Sequence, residues 1–503
     1  MRIAPLLAMI WLAAPMIALG ADQAPGSENS ASTDSVQQLR EELRREQEHI
    51  RQLEERLATV EAAEAAAQSR QAAAMAVPTV AATVPNPSAL QGSFGTDGYT
   101  LQSTDGANVI HFRGNVSVDG RWFSDAYTPT TADTWLIRRL RPTLEGTIAG
   151  YLDFRIMPDF AQGKTILQDG WADARLTPWL AVQFGKFKAP VGLERLQLEQ
   201  YGRFIETALT ADLLPYRDLG VKVGGVIDQG LLTYDIGIFD GAPDGGSTDG
   251  DSVPDENSTG KFTWDGRVFG SPFLPFDWPV LQGLGLGVAG TYANANGVAT
   301  SSTTNSLLAS YKTPGQQAML SYRGDTASGG VNNATVAHGI ERRLVPQFYY
   351  YYGSLGLLGE YVDERQQVER HLTSISSRFA TLHNSAWQLQ GSWFVTGEYE
   401  TYASATPLSN FGFGQGGTGA WELVARYHEI SFDPAAFNDA GASFANLLTS
   451  PRTARAVGAG VNWYLNSNFK TQLDYEVTRY VGGAIVGNRP AERVLISQFA
   501  LIF

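Results

Sequence analysis

Basic and acidic side chains alternate along three neighbouring stretches of this sequence. Arg139, Arg141, Thr143, Glu145 and Thr147 stand two residues apart, as do Asp153 and Arg155 with Asp159 beyond, and then Asp173 with Arg175. A spacing of two places each set on one face of a β-strand. Guanidinium groups present a planar fork of donors that grips oxyanions bidentately. Four such bases on a shared face could bind small anions. The four carboxylates among them cancel part of the field, so the preference should be weaker than that of an all-basic ring. Arg138 falls on the opposite phase, and a local twist or bulge is expected to turn it to the same side.

A second concentration follows. From Lys186 to Lys222 there are six bases (Lys186, Lys188, Arg195, Arg203, Arg217, Lys222) against five acids (Glu194, Glu199, Glu206, Asp212, Asp218). Within it, Lys186 to Leu214 is too long for a turn and shows a helical pattern around Leu193 to Leu213. In a wide barrel such a segment folds inward and narrows the lumen. The residues expected at a constriction are therefore Arg138, Arg139, Arg141, Arg155, Asp173, Arg175, Lys186, Lys188, Arg195 and Arg203.

The elements that position these groups read as strands. Tyr151 to Phe160 sends Leu152, Phe154 and Ile156 to one face and Asp153, Arg155, Met157 and Asp159 to the other. Phe469 to Val477 repeats the pattern with Lys470, Gln472, Asp474 and Glu476 on the polar face. Tight connections (Ala149-Gly150, Asp228 to Gly230, Gly353-Ser354, Asn466 to Asn468) interleave with long ones such as 241–260 and 433–452. Short turns on one rim and long loops on the other mark an outer-membrane barrel. Aromatics near strand ends, at Phe348 to Tyr352 and Trp463-Tyr464, fit interfacial girdles, and the terminal Phe503 fits an outer-membrane insertion signal. The expected fold is all-β, a transmembrane antiparallel barrel of about 16 strands over 92–503, wide enough for a water-filled lumen. The count could reach 18, since Asn305 to Arg323 reads equally as two strands around Thr313-Pro-Gly-Gln316 or as one infolded loop.

Ahead of the barrel, Met1-Arg2 and an apolar run from Ile3 to Leu19 end in small residues at Gly20, the form of a cleaved secretory signal over 1–20. Val36, Leu43, Ile50 and Leu57 with Leu39, Leu53 and Val60 form an a/d seam broken by Glu46, an α-helical coiled coil within 36–76. Residues 77–91 carry Pro78, Pro85 and Pro87 and read as a linker. The address is the bacterial outer membrane, with the coiled coil in the periplasm.

Composition narrows the function further. The 503 residues carry 37 Lys+Arg against 51 Asp+Glu, a net charge of -14, with 53 Gly and no Cys. The acidic balance argues against nucleic acid as a partner. The absence of cysteine excludes disulfides and thiolate zinc sites. Residues 92–503 retain 30 bases and 40 acids, so the barrel is itself acidic and only local charge can favour anions.

The chain resembles the phosphate-selective porin O and P family over about residues 95–503. The matching stretches are Ile137-Arg138-Arg139, Trp171-Ala-Asp173, Val182-Gln-Phe-Gly-Lys-Phe187 with Gly192-Leu-Glu-Arg195, and Gly460-Val-Asn-Trp-Tyr-Leu-Asn466. The resemblance implies a 16-stranded homotrimeric porin with Asn305 to Arg323 as loop, small anions such as phosphate or polyphosphate as solutes, and a constriction that includes Arg138, Arg139, Asp173 and Arg195. This sequence also departs from the family. Leu198 and Glu199 stand where phosphate-binding members carry hydroxyl residues, Asn115 replaces a first-strand arginine, and Asp153 a base of the third strand.

Other chemistry has little support. The Asp-rich stretch 240–256 lacks a calcium-loop pattern and the six histidines lack metal spacing, so no metal or cofactor is expected. No nucleophile motif supports an enzyme. Two further readings stay open: a general, weakly selective porin, and a structural tether from the outer membrane to the cell wall through the coiled coil.

Overall fold

A computed structural model describes residues 90–503, apart from 96–97, 125–131, 164, 242–261, 300–303, 325–333 and positions 374, 404, 413, 415 and 440. The predicted signal segment and coiled coil, the linker up to residue 89 and all but the edge of the Asp-rich loop lie outside the described residues.

Two short strands, β1 (Gln91–Gly95) and β2 (Gly98–Gln102), come first. The wall then begins with β3 (Val109–Phe123), β4 (Thr134–Ile148), β5 (Leu152–Asp159), β6 (Ile166–Thr177), β7 (Leu180–Lys188), β8 (Arg217–Ile227), β9 (Leu232–Phe239), β10 (Thr263–Gly270) and β11 (Leu284–Asn296). After four pieces of two or three residues, β12 (Val298–Ala299), β13 (Thr304–Asn305), β14 (Tyr311–Lys312) and β15 (Ala318–Leu320), the wall resumes. It continues through β16 (Thr335–Tyr352), β17 (Leu355–Thr373), β18 (Ser376–Phe394), β19 (Ala420–Ser431), β20 (Pro451–Tyr464), β21 (Phe469–Gly482) and β22 (Glu492–Ile502). Neighbours pair antiparallel in chain order, and β22 closes on β3 with Ile496 opposite Arg121 and Ile502 opposite Asn115. Among the described residues this makes a closed barrel of sixteen strands. Closure satisfies every strand edge, the condition for spanning lipid.

The polarity is inverted relative to a water-soluble barrel. On β21, Leu473 and Tyr475 face outward and exposed, whereas Lys470, Gln472, Asp474 and Glu476 are buried inside. Ile156, Ile236, Trp264 and Phe499 continue the outward apolar band.

Several expectations change at this level. Asn305 to Arg323 contributes no wall strand. It is an infolded loop with a small β14–β15 hairpin, and Tyr311 and Met319 are buried in the lumen. The helical pattern at 193–213 yields only short turns, α1 (Leu193–Leu196) and single 3-10 turns at Glu199–Tyr201 and Leu209–Leu213. Gly192 and Gly202 flank them in extended conformation, so no longer helix propagates. The short-turn rim has two longer connections, 271–283 and 395–419, and in the second Glu400 to Tyr402 turn inward to meet the loop at 189–216. Half of the supposed aromatic girdle is internal: Tyr349 stacks on Tyr402 of that inserted segment, and Tyr464 hydroxyl donates to Glu422. The predicted barrel domain opens with the β1–β2 hairpin, which pairs with the lower part of β3.

Candidate functional site

The site begins at a bulge on β4. Ser117 pairs with Arg139 but Val118 pairs with Ile137, leaving Arg138 as the extra residue. Such a bulge turns two consecutive side chains to one side. Arg138 and Arg139 are both buried. Arg138 donates from Nε and Nη2 to the two carboxylate oxygens of Glu206, each at 3.0 Å, and Arg121 Nη2 joins at 2.5 Å. Burial alone would raise the Glu206 carboxyl, but Arg138 and Arg121 hold it below its ordinary value.

Below the bulge the inward phase resumes. Arg141 Nε donates to Asp159 at 2.7 Å, and its Nη1 lies 3.6 Å from Glu199. Arg155 pairs with Glu145 at 2.6 Å and lies over the Trp171 ring. From β8, Arg217 donates to Asp169 at 2.7 Å and to Glu199 Oε1 at 3.1 Å. Lys188 Nζ reaches Gln197 carbonyl oxygen at 2.5 Å and Glu199 Oε1 at 3.2 Å. Tyr216 hydroxyl also donates to Glu199. Burial opposes ionisation of Glu199, yet Lys188, Arg217 and Arg141 together keep its carboxyl well below the ordinary range.

A cavity of about 270 Å³ opens beneath this cluster, between the infolded loop and the β3–β8 wall. Its side chains include the bases Arg113, Arg141, Arg155, Lys188 and Arg217, against Glu145, Asp169 and Glu199. Trp171, Phe187, Leu196 and Leu198 supply apolar surface. A smaller cavity, about 30 Å³, lies across Leu198 and Glu199 and is lined by Arg139, Arg195, Glu194 and Tyr216.

The ten sequence-predicted residues therefore divide. Arg141, Arg155 and Lys188 line the larger cavity, and Arg139 and Arg195 the smaller. Arg138 stands above them in its pair with Glu206. The other four lie elsewhere. Arg175 pairs with Asp153 at 2.7 Å near the short-turn rim, where its own N–H bonds Tyr151. Asp173 is opposite Asp153 in the same rung and lines neither cavity. Both were placed on the right face, but strand register puts them only a few residues from the turn. Arg203 is a clamp between elements: its guanidinium reaches Glu400 at 2.7 Å, Glu422 at 2.8 Å and Thr401 carbonyl oxygen at 2.6 Å. Lys186 is buried beyond Gly185, whose φ of +119° breaks the alternation on β7, and it lines neither cavity.

The sequence profile of a family described as phosphate-selective porin O and P matches residues 110–481. The chain belongs to that family. No curated protein sequence matches it. Solved structures resemble the chain at low identity. OmpT of Vibrio cholerae, with loop L8 deleted, is 12% identical, with 79% of this chain and 100% of that one covered at a TM-score of 0.47. The outer membrane channel DcaP of Acinetobacter baumannii is 8% identical, covering 80% and 99%, also at 0.47. An anion-selective porin from Comamonas acidovorans is 12% identical, covering 79% and 100%, again at 0.47.

In this porin-family barrel the loop at 189–216 is held by residues that no local pattern marks. Its buried backbone needs partners. Glu360 accepts from Leu193 N–H at 2.8 Å, Asp474 from Ile205 N–H at 2.7 Å, and His428 Nδ1 from Leu209 N–H at 2.9 Å. Gln347 donates to Val191, Asn462 to Arg203, Lys470 to Gly202 and Arg426 to Glu206, all at carbonyl oxygens. The one available signal was the inward phase of β16–β21, which carries a polar residue at almost every second position.

Proposed function

We propose that this protein is an outer-membrane porin for passive diffusion of small anions, with phosphate or polyphosphate as the favoured solutes. Solutes cross the lumen through the gap between the infolded loop and the β3–β8 wall. The observation that carries this reading is the local charge balance of the larger cavity: five bases to three acids, inside a barrel whose net charge is negative. In a confined, low-dielectric space such a local excess outweighs distant surface charge. Arg139, Arg195 and Arg138 extend basic character above the cavity. Family membership supports a porin, and the family description supports phosphate as the first anion to try.

A weakly selective version of the same channel has specific support, since Arg138, Arg141, Arg155 and Arg217 all face carboxylates within 3.0 Å. We further propose a homotrimer embedded in outer-membrane lipid, with residues 36–76 as a periplasmic coiled coil that could reach the cell wall. A chain lacking 36–76 should still conduct. Loss of an envelope phenotype in cells carrying that deletion would favour the tether reading.

The zero-current potential of the purified protein in planar bilayers, under a KCl gradient and then with phosphate added, tests the proposal. Anion-selective reversal with current reduced by phosphate is expected. Cation-selective reversal would overturn the anion reading, and anion selectivity untouched by phosphate would reduce it to a general porin.

A further inference from the structure

Glu199 is the one carboxylate that lines both cavities, and donors converge on it from three directions. Arg217 comes from β8, Lys188 from the end of β7, and Tyr216 from the end of the infolded loop, while Arg141 approaches from β4. A carboxylate facing a guanidinium, an ammonium and a phenol is bound as a small oxyanion would be bound. The cradle does not depend on Glu199 for its shape. Arg217 is also fixed by Asp169 at 2.7 Å, Arg141 by Asp159 at 2.7 Å, and Lys188 by Gln197 carbonyl oxygen at 2.5 Å. Each base keeps a second partner if Glu199 moves away, so the donors stay in place. Glu199 itself hangs from a single 3-10 turn, Glu199–Tyr201, between extended Leu198 and Gly202.

We propose that Lys188, Arg217, Arg141 and Tyr216 form an oxyanion seat occupied by the chain's own Glu199, and that Glu199 sets solute specificity by competing with the passing anion. The proposal rests on the reading that this barrel passes anions. An entering solute must offer an oxyanion head good enough to displace a tethered carboxylate. Chloride, with one weakly held charge and no fork of acceptors, passes without taking the seat. Phosphates and organic carboxylates share the required chemistry. The flanking Leu196, Leu198, Trp171 and Phe187 surround the seat with apolar surface that an organic carboxylate could use.

The test compares the full-length wild type with Glu199→Gln, Glu199→Asp and Glu199→Ala in planar bilayers, with inorganic phosphate and benzoate as separate probes. Glu199→Gln leaves the donors but removes the competing charge. The concentration of probe that halves the KCl current should fall about tenfold, the worth of one charge-assisted hydrogen bond. Glu199→Asp should stay near wild type. Glu199→Ala removes the carboxylate and leaves all four donors, so it should shift the same way, which decides the matter if Glu199→Gln does not fold. A shift for phosphate alone, benzoate alone or both supports the seat and says which head group fits it. No shift for either probe, in channels that are anion-selective, would overturn the seat while leaving the anion porin standing. Cation-selective wild-type channels would overturn the underlying reading instead.

Discussion

The lumen has two walls that use similar residues for opposite purposes. Along β16–β22 the inward face is rich in buried acids, with Glu360, Glu364, Glu422, Asp474, Glu476 and Glu492 against Arg343, Arg370, Arg426 and Lys470. These side chains are spent on structure: several grip backbone N–H and C=O groups of the loop at 189–216. Along β3–β8 the inward face carries Arg113, Arg141, Arg155 and Arg217, and water-accessible space remains. The first wall solves the problem of burying irregular backbone in a barrel, which is tolerated only when every polar group finds a partner. The second inherits the gap that this one-sided gripping leaves open. Position of charge, rather than its sum, separates the gripping wall from the wall that lines the open cavity.

The comparison breaks most visibly if the grip is released. The double variant Glu360→Ala with Asp474→Ala removes acceptors for Leu193 and Ile205 and should free the loop. Single-channel conductance should rise several-fold and anion preference should fall; unchanged conductance would mean that the loop is held by other means. Next in size is Arg203→Ala, which leaves Glu400 and Glu422 buried beside each other without their cation. Breaking a buried pair in this way costs about 3–5 kcal/mol, so the thermal midpoint in detergent should drop clearly. A midpoint within error of wild type would show that Arg203 is not the clamp joining the two inserted segments.

On the passage side, Arg139→Ala and Arg195→Ala should each lower the anion-to-cation permeability ratio by a modest factor. Unchanged ratios in both would remove the smaller cavity from the solute path.

The smallest effect concerns pH and the inserted segment 395–419. The Glu400 carboxyl is pushed up to about 7, by burial first and by neighbouring Glu422, against the pull of Arg203. Its raised value means that the inserted form keeps a proton that the released form gives up above its ordinary 4.5. This contribution is thus complete below 4.5 and is lost as pH rises through 7. Hydrogen-exchange protection of 398–403, relative to intrinsic rates, should be higher at pH 5 than at pH 8, and flat in Glu400→Gln. Equal protection at both pH values in the wild type would contradict it.

Much of this was readable in the sequence, and the unreadable parts share a cause. Alternation along Trp135 to Ile148 placed Arg139 and Arg141 inside, and the misphased Arg138 pointed to the bulge that the β3–β4 register contains. These are local facts, carried by neighbours two residues apart. The depth of a residue along the lumen is not local, which is why Asp173 and Arg175 were expected at a constriction and stand near the turn. The grip on the infolded loop was equally hidden, because Leu193 meets Glu360 and Ile205 meets Asp474 across 167 and 269 residues of chain. The inward turn of 395–419 followed from Arg203 meeting Glu400, again a pairing no periodicity reports.

The division of labour between the walls is tested most directly by one paired measurement of zero-current potential under a KCl gradient. Arg155→Gln alters the cavity wall and Glu364→Gln the gripping wall, each by one charge. Arg155→Gln should shift the potential toward cation preference while Glu364→Gln leaves it at the wild-type value. A larger shift from Glu364→Gln than from Arg155→Gln would contradict the account.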